Sequence, residues 1–127
     1  MAEKKLSSSN SKEKARHILT WMLEHKAKNL LGLDLDGHSV MTEIMILVSA
    51  SSTRHARSLA DGLMELCSGK NYEFLRLEGY QEGLWILADM NDIIVHIFQE
   101  NIRELYNLES LWRQAVPLPL PGKTEKV

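Results

Sequence analysis

Residues 42–69, TEIMILVSASSTRHARSLADGLMELCSG, decide the fold class because the hydrophobic pattern changes within them. Residues 44–48 are a continuous apolar run, which is typical of a central β-strand covered on both faces. Gly69 is expected to end a helix whose apolar residues recur at helical spacing, at Ala56, Leu59, Ala60, Leu63, Met64 and Cys67. A strand followed by a helix and further strands predicts an open sheet with helices packed against it.

The N-terminal side adds a helix and a strand to this unit. Residues 1–11 are polar and are expected to form a flexible tail, in which Asn10 or Ser11 caps the helix that follows. Residues 12–28 have apolar positions mostly at three- and four-residue steps, so they predict an amphipathic helix. Residues 30–35, LLGLDL, predict a short strand that ends in a turn.

The C-terminal side begins with strands. Residues 74–77 predict a short strand, and residues 78–83 predict a loop with two glycines. The apolar runs 84–88 and 93–98 are separated by four mostly polar residues, 89–92, which is a length typical of a hairpin loop. An antiparallel hairpin is therefore expected there.

The remaining residues predict a helical segment and a tail. Apolar spacing at 100–112 indicates one short helix and a further helical turn. The proline-rich residues 115–127 are expected to be extended or disordered. Residues 12–114 are thus expected to form one α/β domain, with a mixed sheet and flanking helices.

The composition of the 127-residue chain disfavours several classes of protein. Hydrophobic residues make up 44% and charged residues 25%, which is typical of one globular domain. The lone Cys67 cannot form an intramolecular disulfide, so a reducing, cytoplasmic location is expected. No apolar run reaches the roughly 18 residues that cross a bilayer. The polar N-terminus does not resemble an export signal, no membrane contact is expected, and a net charge of −2 disfavours direct binding to nucleic acid.

The sequence contains one weak signal for metal-dependent chemistry. Asp34 and Asp36 alternate at a strand end, where two carboxylates on one face could hold a divalent ion for phosphoryl transfer. In nucleotidyltransferases a Gly-Ser turn precedes such a pair, whereas the serine-rich residues 49–52 follow it here. A polar turn at the end of the strand is the preferred interpretation, and a divergent nucleotidyltransferase is kept as an alternative.

The other candidate ligands and nucleophiles also have simple structural interpretations. The serines at 49, 51 and 52 could cradle an anion at a helix N-terminus, but helix capping explains them equally well. None of the five histidines has the paired spacing of a zinc site. Cys67 falls on the apolar side of its helix and is expected in the core. No metal, cofactor or catalytic residue is predicted.

The C-terminal third is rich in residues that often anchor protein interfaces. Strand alternation places His96 on the same face as Ile94 and Phe98, either bonded to one neighbour or exposed for binding. Each of the possible anchors in this third of the chain could, taken alone, be a core residue. Their density together favours a recognition surface. The set comprises Tyr80, Trp85, Asp89, Asp92, His96, Arg103, Tyr106, Glu109 and Trp112.

Residues 27–112 resemble a known family, the ribosomal silencing factors, also called the Iojap family. The similar motifs are LDLDG at 33–37, TEIMILV at 42–48, SASSTRHARSLAD at 49–61 and EGYQEGLW at 78–85. They end in the long block DMNDIIVHIFQENIRELYNLESLW at 89–112. The order and spacing of this last block make the resemblance specific.

The resemblance implies an α/β domain with a nucleotidyltransferase-like topology that lacks the catalytic set. It implies a translational repressor that binds the large ribosomal subunit through the universal ribosomal protein fourteen. Such a repressor sterically blocks joining of the small subunit, notably in stationary phase and under nutrient limitation. Relatives in mitochondria and chloroplasts imply the alternative of a large-subunit assembly factor.

The resemblance also implies which residues contact the partner. By position these are Trp85, Asp89, Asp92, His96, Tyr106 and Glu109, with Glu78 and Glu82 as charges at the rim. An apolar anchor surface without its partner could also pair two copies, so a homodimer of the free protein is a further expectation.

Overall fold

A computed structural model describes residues 8–35, 42–102, 116–118 and 120, and within them a six-stranded sheet carries two helices. The elements in chain order are α1 (Ser8–Glu24), β1 (Lys28–Asp34), β2 (Ile44–Ala50), α2 (Thr53–Lys70), β3 (Arg76–Glu78), β4 (Trp85–Asp89), β5 (Ile93–Gln99) and β6 (Val116–Pro117). No helix in these described ranges is long and apolar enough to cross a membrane.

The strands lie in the order β3-β4-β5-β2-β1-β6. β2 and β5 pair in parallel, and the other neighbours pair antiparallel, which confirms the predicted mixed α/β sheet. β2 is buried along its whole length, as its continuous apolar run predicts. The predicted hairpin is also confirmed, because β4 and β5 pair across a turn in which Asn91 has a φ of 78°.

Both helices pack on one face of the sheet, here called the helix face. Alternate residues of β5 point to it and pack near α2, and they share one core with an apolar stripe of α1 made of Ala15, Ile18, Leu19 and Met22. The other residues of β5, Ile94, His96 and Phe98, lie on the opposite face. There Phe98 packs with Leu33, Leu35, Met45 and Leu47 in a second apolar cluster.

The start of α1 and the end of α2 differ from the sequence-based expectation. α1 begins at Ser8, so Asn10 and Ser11 lie inside it and do not cap it. A serine-rich first turn has no apolar period, which hides a helix start from pattern analysis. α2 continues through Gly69 and ends at an Asn71 cap with a φ of 61°, whose N–H donates to the carbonyls of Cys67 and Ser68. Asparagine tolerates this left-handed conformation and so replaces the expected glycine cap.

The predicted C-terminal tail contributes to the sheet. Val116 and Pro117 pair with β1, and Leu118 and Leu120 pack against the helix-face core. β3 begins at Arg76, two residues later than the predicted strand. Residues 100–102 are helical, and the rest of the helix predicted for 100–112 lies outside the described residues.

Candidate functional site

The structure brings several candidate residues together on the opposite face of the sheet. Trp85 pairs with Phe98, Leu87 with His96, and Asp89 with Ile94 across β4 and β5. Residues directly opposite in a ladder share a face, so all six side chains lie on one side. We call the half-buried Trp85, Leu87 and Ile94 the β4–β5 patch. β3 adds Arg76 and Glu78 at its edge, opposite Asp89 and Leu87.

His96 lies beneath this patch and holds Trp85. The Trp85 indole Nε1–H donates to His96 Nδ1 at 3.0 Å, and the Trp85 ring stacks on Phe98 with centroids 5.1 Å apart. His96 is only 6% exposed, which confirms the prediction of a strand histidine satisfied by a neighbour. Because Nδ1 accepts this bond, the neutral ring carries its proton on Nε2. Burial lowers the pKa of His96 from 6.5 to about 4.

The stability of the protein is expected to fall as the pH drops from about 6.5 to about 4. In this window the unfolded chain protonates His96 and the folded protein does not, so acid favours unfolding by at most about 3 kcal/mol. His96→Gln keeps an acceptor for Trp85 without titrating and is expected to flatten this slope. Urea denaturation at several pH values measures it, and equal slopes for both proteins would contradict the assignment.

The loop before β4 is held against α2. Arg57 Nε donates to the Tyr80 carbonyl at 3.1 Å, and its Nη2 donates to the Gln81 carbonyl. The Tyr80 hydroxyl donates to Asp61 Oδ2 at 3.1 Å, and this bond raises the pKa of Tyr80. Glu82 is exposed in the same loop. Arg57 and Tyr80 therefore fix the loop from which Trp85 emerges.

Gly79 allows this loop to approach β4. It has a φ of 81°, and a Cβ there would overlap the carbonyl oxygen of Trp85. Gly79→Ala is expected to lower the free energy of unfolding by about 1–3 kcal/mol. Gly69→Ala is the matched control, because a Cβ at this helical position meets nothing within 4 Å. The control is expected to stabilise by about 0.5–1 kcal/mol. Urea denaturation compares them, and equal effects would exclude the proposed close approach.

The two candidate aspartates of the hairpin turn have internal partners. Asp89 is 9% exposed; its Oδ1 accepts from the Asn91 N–H at 2.9 Å, and its Oδ2 lies 3.4 Å from Arg76 Nη1. It borders the β4–β5 patch with only a small exposed fraction. Its carboxylate therefore shapes the turn and pairs with the edge strand.

Asp92 does not fit the expectation of a partner contact, because it is buried against α1. Its Oδ2 accepts from Ser11 Oγ at 2.7 Å and lies 2.8 Å from Lys14 Nζ, and its Oδ1 lies 3.0 Å from the same ammonium. Its backbone carbonyl accepts from Thr42 Oγ1 and from the N–H groups of Glu43 and Ile44. Asp92 thus joins α1, the start of β2 and the hairpin turn.

Four other predicted anchors, Arg103, Tyr106, Glu109 and Trp112, lie outside the described residues. Glu78 is exposed on β3 and forms an ion pair with Arg76 at 2.7 Å. Sequence analysis overlooked Leu87 and Ile94 as surface residues. Alternation along the strands indicates both, because each lies two residues from a selected residue on the same face.

The described residues that suggested a metal or anion site have structural roles. Ser52 caps α2 by accepting from the His55 N–H at 3.0 Å, which confirms the capping interpretation. The Ser51 N–H donates to His55 Nδ1 at 3.0 Å. Asp34 lies 3.5 Å from Lys12 Nζ, and Asp36 is outside the described residues. No cluster of three or more metal-binding side chains occurs in the part of the chain that the structure describes.

Comparisons with known proteins agree on one family. The family model described as "Ribosomal silencing factor during starvation" matches residues 8–126. A protein of Haemophilus influenzae named Ribosomal silencing factor is 36% identical over 87 residues, which cover 68% of this chain and 85% of the relative. A crystal structure from Bacillus halodurans superimposes with a TM-score of 0.74 at 27% identity, covering 85% of this chain and 99% of that one.

A more distant mouse protein is named "Mitochondrial assembly of ribosomal large subunit protein 1". It is 20% identical in a stretch that covers 75% of this chain and 43% of the relative.

Proposed function

The chain belongs to the family of ribosomal silencing factors, and from this premise we propose that it represses translation by occupying the large ribosomal subunit. The bound protein blocks joining of the small subunit, above all when nutrients are scarce. Its partner on the large subunit is the universal ribosomal protein fourteen. The activity requires no catalysis, because a folded domain of this length is roughly 30 Å across and excludes the other subunit sterically.

The observation that carries this proposal is the exposed part of Trp85 in the β4–β5 patch. A tryptophan fixed by a hydrogen bond and ring stacking binds a partner with little loss of side-chain entropy. Leu87 and Ile94 extend the apolar surface around it. This arrangement of a preorganised aromatic anchor with apolar neighbours is typical of the centre of a protein interface.

Charge supports a basic partner at the rim of the patch. Glu78 is exposed on β3 opposite Leu87, Glu82 is exposed in the loop before β4, and the chain has a net charge of −2. Such charges steer association with a basic ribosomal protein, whereas the aromatic anchor determines how long the complex lasts. Tyr106 and Glu109 are proposed as further contacts on the strength of their positions in the family motif.

Co-sedimentation with purified subunits tests the proposal. The protein is expected to remain with large subunits through a sucrose gradient at micromolar concentration and to separate from small subunits. Raising the salt concentration is expected to slow association, because screening weakens the steering by Glu78 and Glu82. Retention on neither subunit would contradict the proposal.

The name of the mouse relative favours a second candidate, a role in assembly of the large subunit. The same docking surface would then act on precursor particles. Gradient profiles of a strain that lacks the gene distinguish the two roles. Accumulated large-subunit precursors indicate assembly, whereas normal particles with poor survival in stationary phase indicate silencing.

A further inference from the structure

A groove of about 440 Å³ lies between α1 and α2, on the helix side of the molecule. The β4–β5 patch is on the other side of the sheet, so the groove does not belong to that surface. Its lining residues are Trp21, His25, Ser58, Asp61, Gly62, Glu65 and Leu66. A site of this size is in the range that accommodates one large side chain or a small ligand.

An aromatic pair forms one wall of the groove. The rings of Trp21 and His25 stack with centroids 3.9 Å apart and an interplanar angle of 20°. Gly62 on α2 faces this pair, and a Cβ there would overlap the Trp21 ring. Glycine costs a helix interior about 0.5–1 kcal/mol relative to alanine. Its presence at this point allows the indole to lie directly against the backbone of α2.

The charge of the groove is negative. Asp61 and Glu65 are exposed one turn apart on α2, and the lining contains no lysine or arginine. Among the residues that the structure describes, none forms an ion pair with Glu65. Arg57, which precedes Asp61 by one helical turn, donates to the carbonyl oxygens of Tyr80 and Gln81 and not to either carboxylate.

We propose that this groove is a second docking site, which takes an arginine side chain from a basic segment of another protein. A guanidinium is planar and weakly hydrated, so it stacks on an aromatic wall while its N–H groups donate to carboxylates. The walls supplied by Trp21 with His25 and by Asp61 with Glu65 match these two properties. An RNA or an anionic lipid surface is disfavoured because the two carboxylates would repel its phosphates.

A peptide titration tests the groove without ribosomes, so its outcome is independent of the proposed silencing activity. The probe is acetyl-Gly-Arg-Arg-Gly-amide, and its counterpart with citrulline has the same shape without the charge. We expect the arginine peptide to shift the NMR signal of the Trp21 indole N–H and to bind at least fivefold more tightly than the citrulline peptide. Equal binding of both peptides would overturn the proposal.

Variants locate the binding site. Glu65→Gln is expected to weaken binding of the arginine peptide at least threefold. Glu13→Gln makes an equal charge change on α1 outside the groove and is expected to leave the affinity for the peptide unchanged. Ser58→Arg is expected to abolish binding by placing the chain's own guanidinium in the groove. Equal losses for the two glutamine variants, a shift confined to Trp85, or binding of spermidine as tight as that of the peptide would contradict the proposal.

Discussion

Replacing Asp92 by alanine is expected to lower the free energy of unfolding by about 3–5 kcal/mol. The substitution leaves the Lys14 ammonium buried without its carboxylate, since the Lys14 side chain is only 8% exposed. It also removes the acceptor for Ser11 Oγ. Lys14 Nζ lies 5.4 Å from the centre of the Tyr72 ring, and this contact offsets only a small part of the lost interaction. Urea denaturation measures the loss.

A double variant separates this structural role from a role in binding. Lys14→Met with Asp92→Asn removes the buried charge and keeps an acceptor for Ser11, so it is expected to recover most of the lost stability. The folded double variant is expected to bind large subunits as the original protein does. A loss below about 1 kcal/mol in Asp92→Ala would refute the buried ion pair. Restored stability with lost ribosome binding would return Asp92 to the docking surface.

Trp85→Ala is expected to weaken binding to the large subunit by about 1–3 kcal/mol, which is at least fivefold in Kd. The change removes the aromatic surface of the β4–β5 patch and leaves the acceptor of the buried His96 without its donor. Gradient co-sedimentation over a range of protein concentrations gives the Kd. A loss of similar size is expected for Tyr106→Ala from its place in the family motif.

Two further variants make the Trp85 result interpretable. Trp85→Phe keeps a ring and is expected to lose less affinity than the alanine variant. Met64→Ala removes an apolar side chain that is 43% exposed on α2, and it is expected to leave affinity unchanged. Circular dichroism establishes that each variant is folded. Wild-type affinity of folded Trp85→Ala would remove Trp85 from the interface, and failure to fold would make it a core residue.

Local patterns predicted most of the fold. A continuous apolar run predicts the buried strand β2, and two apolar runs predict the β4–β5 hairpin. The structure confirms both elements. The N-cap at Ser52 was equally predictable, because a hydroxyl before a helical period satisfies the first N–H groups. The end of α2 shows the limit of such rules. The cap was expected at Gly69 but lies at Asn71, because glycine and asparagine both accept the left-handed conformation.

The contacts that the sequence does not predict are long-range. Lys14 and Asp92 are 78 residues apart, and no local pattern links a helix lysine to a turn aspartate. The short strand Val116–Pro117 is likewise defined by its partner β1, not by its own apolar pattern. The Trp85–His96 bond spans only 11 residues within the predicted hairpin, and strand alternation in the observed register places the two side chains on one face. The sequence therefore predicts which residues of the candidate site share one face of the sheet. It does not predict how exposed each of these side chains is.

Subunit joining in the presence of the protein tests the central claim most directly. Purified large and small subunits are mixed at fixed magnesium concentration, and light scattering follows the fraction of joined particles as protein is added. The joined fraction is expected to fall until the protein equals the large subunits in number, and Trp85→Ala is expected to require at least fivefold more protein. An unchanged joined fraction while the protein stays bound to the large subunit would contradict silencing by steric exclusion.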